Sequence, residues 1–127
     1  MSFLLVGLGG AVGSMMRYGV GLAFAGASFP FATLIVNIIG CFAIGLAMPS
    51  LDRTSLISPE MRLLVVVGFL GGFTTFSAFG YESAALARTN EVLALINICA
   101  NLALALGAVF AGRALASALG WISQVSR

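Results

Sequence analysis

Gly71-Gly72-Phe73-Thr74-Thr75-Phe76-Ser77-Ala78-Phe79 lies in the middle of a long apolar stretch, and its reading decides the fold. The residues before it, Leu63 to Leu70, are uniformly hydrophobic, and the whole segment runs roughly over residues 61–87. That exceeds the ~20 residues a helix needs to cross the hydrocarbon core. Paired Gly followed by paired Thr is nevertheless poor helix material. Two readings fit. One is a continuous helix with a small-residue packing face. The other is a helix interrupted at mid-membrane depth. Such a break is tolerated only where the backbone is buried in protein or lines a wet cavity, and it frees carbonyls for cations and exposes helix ends to ions.

The surrounding composition supports a membrane setting. Of 127 residues, 61% are hydrophobic and 8% charged, where a soluble domain carries about 25% charged residues. A chain this short and apolar cannot cover itself with polar surface in water. Three further segments are long and apolar enough to span: residues 3–25, 31–48 and 92–119. A short link at 26–30, a polar link at 49–60 and the turn Arg88-Thr89-Asn90-Glu91 join them. The expectation is an all-α integral membrane protein, a single domain over 1–127 with four transmembrane helices and no soluble domain. Ala23-Phe24-Ala25 resembles a signal cleavage site, but Met1 to Leu5 carries no basic residue and Arg17 interrupts the apolar run. Residues 1–25 are therefore read as the first membrane helix and not as a removable signal.

Every cation is Arg; there is no His and no Lys, which excludes a His-based catalytic dyad or metal site. Cys41 and Cys99 lie far apart in apolar runs and form no metal or redox spacing. A formal charge of +2 is too small to imply nucleic acid. An even number of crossings puts Arg53, Arg62, Arg113 and Arg127 on the side of both termini and Arg88 on the other. The positive-inside rule then leans weakly toward cytoplasmic termini, a bias small enough to allow insertion in both orientations.

Several residues do not belong in lipid. An Arg at the centre of a membrane helix costs at least about 2.5–3.5 kcal/mol. Arg17 shares one face with Gly9, Gly13 and Gly21 at i, i+4 spacing. It either forms an electropositive vestibule, caps the carbonyls of a neighbouring helix or snorkels to the headgroups. Asn37 follows Thr33 by one turn in the second segment, and Asn97 and Asn101 repeat at i, i+4 in the fourth. These amides need partners; they serve either as glue between helices, worth about 0.6 kcal/mol per contact, or as a polar track for an ion shedding its water. Phe76 and Phe79 stand at i, i+3 with Ser77 between them, and Phe ring edges are electropositive. An anion can lie against those edges while Thr75, Ser77 and the Asn residues donate hydrogen bonds; ordinary apolar packing is the alternative. Glu82 is the lone acid within a spanning segment, either an ion or proton site or a carboxylate near the membrane face, paired with Arg or bonded to backbone.

Taken together, Gly-Gly-Ala-Val-Gly-Ser-Met-Met-Arg-Tyr (9–18), Thr33-Leu34-Ile35-Val36-Asn37-Ile38-Ile39-Gly40 and Gly68 through Phe79 resemble the three helix signatures of the Fluc fluoride channels, the CrcB family. The order and spacing match over nearly the whole chain. The resemblance implies an antiparallel, dual-topology homodimer in the bacterial inner (plasma) membrane, with two fluoride pores for passive efflux that lowers cytoplasmic fluoride. It implies a structural sodium ion (Na+), not transported, held at the dimer interface by backbone carbonyls that fall on Gly71 and Thr74. The family's pore positions fall on Asn37, Phe76 and Phe79, with Ser77 and Glu82 nearby and the first-helix Arg at Arg17. Two departures stand out. Asn97 and Asn101 fall near a Ser/Thr track of the fourth helix, and Ala78 stands where Thr is common. The implied partners are fluoride, a second copy and the lipid bilayer. A small multidrug exporter would need a Glu in the first helix, where Arg17 stands. A non-conducting membrane subunit is the other rival, and no nucleophile–base pair or metal set points to an enzyme.

Overall fold

The computed structural model describes residues 1–53 and 58–125, with side-chain surroundings for residues 1–49 and 58–120. Asp52, Arg53 and Arg127, which enter the charge count above, therefore lie outside the described side chains.

Helix α1 spans Ser2–Ala23. The chain then reverses through a turn in which Ala27 N–H donates to Phe24 O at 3.1 Å. Gly26 takes φ 86° there, a backbone region that costs a side-chain-bearing residue but not Gly. Helix α2 spans Phe31–Arg53, so it continues past the expected end at 48 with Pro49 inside it. Helix α3 covers 59–73. Ser58 caps its start by accepting Met61 N–H, and Pro59 occupies the first turn, where a missing donor costs nothing. Within α3, Leu63–Leu70 is wound as a π-helix, with Gly71–Phe73 continuing as α-helix. Helix α4 is Phe76–Ala87. Asn90 Oδ1 accepts Leu93 N–H at 3.0 Å and caps α5, Glu91–Val125. Four spans are long and apolar enough to cross a membrane among the described residues: Ser2–Ala23, Phe31–Pro49, Pro59–Ala87 and Glu91–Gly120.

The expected interruption of the third span is real but narrower than the Gly-Gly-Phe-Thr-Thr stretch. Gly71 and Gly72 remain helical, and only Thr74 (φ −84°, ψ 159°) and Thr75 (φ −153°, ψ 118°) leave the helical region. The π-winding ahead of it was not visible in the pattern. Three consecutive Val residues there weaken α preference, but nothing in their order specifies one extra residue per hydrogen-bonded ring.

Packing follows the small residues. A Cβ on Gly9 or Gly13 would run into the backbone of Leu64, Phe69 or Phe73, so α1 lies directly against α3. Gly45 and Gly112 allow the same close approach between α2 and α5. The buried set mixes Val36, Leu70, Phe73 and Phe79 with the polar Thr33, Ser83, Asn97 and Asn101. Large apolar side chains point outward instead: Phe3 is 93% exposed and Phe110 68%. Polar groups inside and apolar ones outside is the arrangement lipid requires.

Candidate functional site

The break rearranges backbone hydrogen bonding in a specific way. In a continuous helix, Thr75 N–H would bond Gly71 O, and Ala78 N–H would bond Thr74 O. Here Thr75 N–H donates to Asn37 Oδ1 at 2.9 Å, and Ala78 N–H donates to Thr75 Oγ1 at 3.1 Å. Gly71 O and Thr74 O thus lose their helical donors to side chains. The intervening Gly72 O accepts Arg17 Nε–H at 3.0 Å, with Ser14 Oγ at 3.5 Å. Thr74 N–H and its hydroxyl both donate to Leu70 O, at 3.0 Å and 2.9 Å, and so close the first half of the span.

Arg17 therefore caps a carbonyl of a neighbouring helix, one of the roles left open by the sequence. Charge-assisted bonding to a carbonyl beside the break offsets much of the cost of placing a guanidinium there. Gly9 and Gly13 on the same face bring α1 close enough for that reach, while Gly21 meets nothing and borders a cavity instead.

Asn37 clamps the break from α2. Its Nδ2 donates to Thr75 O at 3.2 Å and to Asn101 Oδ1 at 3.1 Å. Asn101 Nδ2 in turn faces Asn97 O and Oδ1 at 3.2 and 3.0 Å. A cavity of about 260 Å³ opens beside this clamp, bordered by Asn37, Thr75, Phe76, Phe79 and Asn101, with Cys41 in its wall. The Phe76 and Phe79 rings lie 5.4 Å apart at 55°. Phe79 is buried, whereas Phe76 is 78% exposed in the single chain. Thr75 Oγ1 and Ser77 Oγ are 3.3 Å apart. Only one of the two hydroxyls donates in that pair, so one O–H remains for another acceptor.

Three of the residues singled out around the pore do not border this cavity. Asn97 is fully buried behind Asn101 and does not border the cavity, and Ser77 is exposed beside it. Glu82 lies at a second, larger cleft of about 540 Å³ formed with Phe24, Phe29, Phe31 and Tyr81. Of the partners expected for it, neither Arg nor backbone is found among the described residues. Thr33 donates its hydroxyl to Glu82 Oε1 at 2.8 Å, and Oε2 is buried with no partner among the described residues. The larger cleft holds none of the Asn or Phe constellation, so size does not mark the site; the convergence of polar groups does. Thr33, Ser83 and Ser14 join the polar interior without having been singled out as site residues. Their signal was positional: Thr33 stands four before Asn37, Ser83 four after Phe79, and Ser14 three before Arg17.

No group of three or more Cys, Asp or Glu is placed to hold a metal among the described residues. Four membrane-length helices, one of them broken, with a polar constellation buried inside the span, define a small multi-pass membrane protein. The chain belongs to the CrcB family: residues 4–113 match the model of the CrcB-like protein, Camphor Resistance (CrcB). It is similar to proteins named fluoride-specific ion channel FluC. That of Rhizobium etli is 48% identical over 91% of this chain and 96% of its own length. That of Chlorobaculum tepidum is 49% identical over 89% and 92%, and that of Geobacter sulfurreducens 47% over 87% and 93%.

Proposed function

We propose that the protein is a fluoride-selective channel giving passive fluoride efflux across the cell membrane. One observation carries the reading: near-full-length likeness, at 47–49% identity, to proteins named as fluoride-specific channels. The geometry supplies a rationale. Fluoride is small and strongly hydrated, and it leaves water only where donors replace its shell. The Thr75 hydroxyl, left free when Ser77 donates within the pair, and the ring edges of Phe76 and Phe79 are such groups at the cavity. Every amide N–H of Asn37 and Asn101 already faces an acceptor. Fluoride gains those donors only by displacing a partner, so the amides act as exchangeable ligands rather than a fixed cage.

The working unit in this proposal is an antiparallel homodimer of dual topology with two pores. A structural sodium ion fits the chemistry of the break: the carbonyls of Gly71 and Thr74 have lost their helical donors, and hard oxygen donors suit a hard cation. Gly71 is exposed, with open space where a Cβ would stand, as a site completed by a second copy requires. Sodium bound there would supply fixed positive charge between the two copies.

Fluoride release from liposomes containing the purified protein, with sodium present and a chloride-loaded control, tests the reading. Fluoride efflux without chloride efflux is the expected result. Release of neither ion from a folded dimer would favour a non-conducting membrane subunit and return Phe76, Phe79 and the Asn residues to packing roles.

A further inference from the structure

A chain of hydrogen bonds runs behind the cavity, from Thr75 at the N-cap of α4 to Phe79 in the first turn of that helix. At its head, Thr75 N–H donates to Asn37 Oδ1 at 2.9 Å, while Asn37 Nδ2 donates to Thr75 O at 3.2 Å. Asn37 Nδ2 also donates to Asn101 Oδ1 at 3.1 Å, and Asn101 Nδ2 donates to Asn97 Oδ1 at 3.0 Å. Asn97 Nδ2 donates to Ser83 Oγ at 2.9 Å, and the Ser83 hydroxyl donates to Phe79 O at 2.7 Å. Each link from Asn37 onward donates in one direction, from the break toward Phe79.

That direction is fixed from both ends. A reversed Asn37 would set its carbonyl against Thr75 O and its amino group against Thr75 N–H. At the other end Phe79 O only accepts, so Ser83 spends its one proton there and meets Asn97 as an acceptor. Asn101, held between, has one allowed orientation. Asn97 is 0% exposed and Ser83 7%, and neither borders the cavity, whereas Asn37, Asn101 and Phe79 do. Both side chains thus act at one remove from the ion.

We infer that Ser83 and Asn97 are positioning residues: they lock the Asn101 amide in one orientation and tie it to the helical turn that carries Phe79. The polar and aromatic walls of the cavity then hold a fixed relation although they belong to different helices, α5 and α4. The inference deepens the fluoride-channel reading and rests on it.

The test uses the full-length protein in liposomes and an isosteric pair. Ser83→Thr keeps the hydroxyl and Ser83→Val replaces it with a methyl, so both carry the same added bulk. Ser83→Thr is expected to conduct fluoride within threefold of the parent and Ser83→Val at least tenfold more slowly. A second variant separates positioning from simple loss of stability. Ser83→Ala strands the buried Asn97 amino group, and Ser83→Ala combined with Asn97→Leu removes that donor, leaving the unmatched N–H on Asn101, which borders the cavity where water can satisfy it. Thermal stability of the double variant is expected to recover relative to Ser83→Ala, while its flux stays at least tenfold below the parent. Parent-like flux in Ser83→Val or in the double variant would overturn the inference, as would flux that merely follows stability across the series. A parent protein that releases no fluoride sinks the channel reading itself, an outcome distinct from any difference among the variants.

Discussion

Asn37→Ala is the most informative single change, because Asn37 decides where the broken helix spends its donors. The substitution removes three hydrogen bonds, two to Thr75 and one to Asn101. At about 0.6–1 kcal/mol each between buried groups in a membrane, the loss is about 2–3 kcal/mol. Part of it returns, since the released Thr75 N–H is then free to bond Gly71 O and straighten the helix. The bond to Asn101 does not depend on the break, so the two bonds to Thr75 set the balance between broken and straight forms, and their loss disfavours the broken form by about 1–2 kcal/mol relative to the parent. At 1.4 kcal/mol per tenfold, the ratio of broken to straight forms falls by roughly 5- to 30-fold. If conduction requires the break, fluoride efflux falls by up to the same factor. Because a straightened helix withdraws Gly71 O, the sodium concentration for half-maximal flux also rises. The assay is fluoride-electrode efflux from liposomes over a sodium series, with dimer content checked by size-exclusion chromatography. Parent-like flux with an unchanged sodium dependence would refute the claim that Asn37 holds the break open.

Three other outcomes are expected. Phe76→Ile and Phe79→Ile stop fluoride flux while the protein still assembles; parent rates in both would remove the rings from the ion path. Phe79→Ile also lowers thermal stability, by up to about 1.5 kcal/mol for a repacked swap of similar size, whereas the exposed Phe76 changes it little. Asn101→Asp slows flux by orders of magnitude, because a fixed negative charge about 4 Å from the anion repels it by about 4 kcal/mol at an effective dielectric near 20; unchanged flux would place Asn101 outside the path. Gly13→Ala drives a methyl into the backbone of Phe69 and Phe73 and destabilises the α1–α3 contact by about 1–3 kcal/mol. Gly21→Ala, with open space at the same face, is neutral or gains up to about 1 kcal/mol of helix propensity. A thermal-unfolding comparison of the two Gly variants in detergent decides, and equal stability would contradict the close packing.

The four spans were legible because membrane crossing is a demand on length and hydropathy, and both are properties of the sequence. The end points moved where the demand is weak: α2 runs through Pro49 to Arg53 and α5 to Val125, since a helix can continue into the interface once its apolar core has crossed. The weak spot in the third span was equally legible, because Gly and Thr are poor helix formers whatever surrounds them. That Thr74 and Thr75, and not the two Gly residues, leave the helix was decided by tertiary structure. Asn37 on another helix offers Thr75 N–H a better acceptor, and no local pattern encodes a partner 38 residues away. The same reason separates Asn101 from Asn97. They share a face by spacing, yet one borders the cavity and the other is sealed behind it by Ser83 on α4. Arg17 illustrates the division most simply. Its sequence position says that a charge in lipid must find a partner; only the close approach of α1 to α3 makes that partner Gly72 O. Local chemistry sets which groups must be satisfied, and the packing of distant segments chooses what satisfies them.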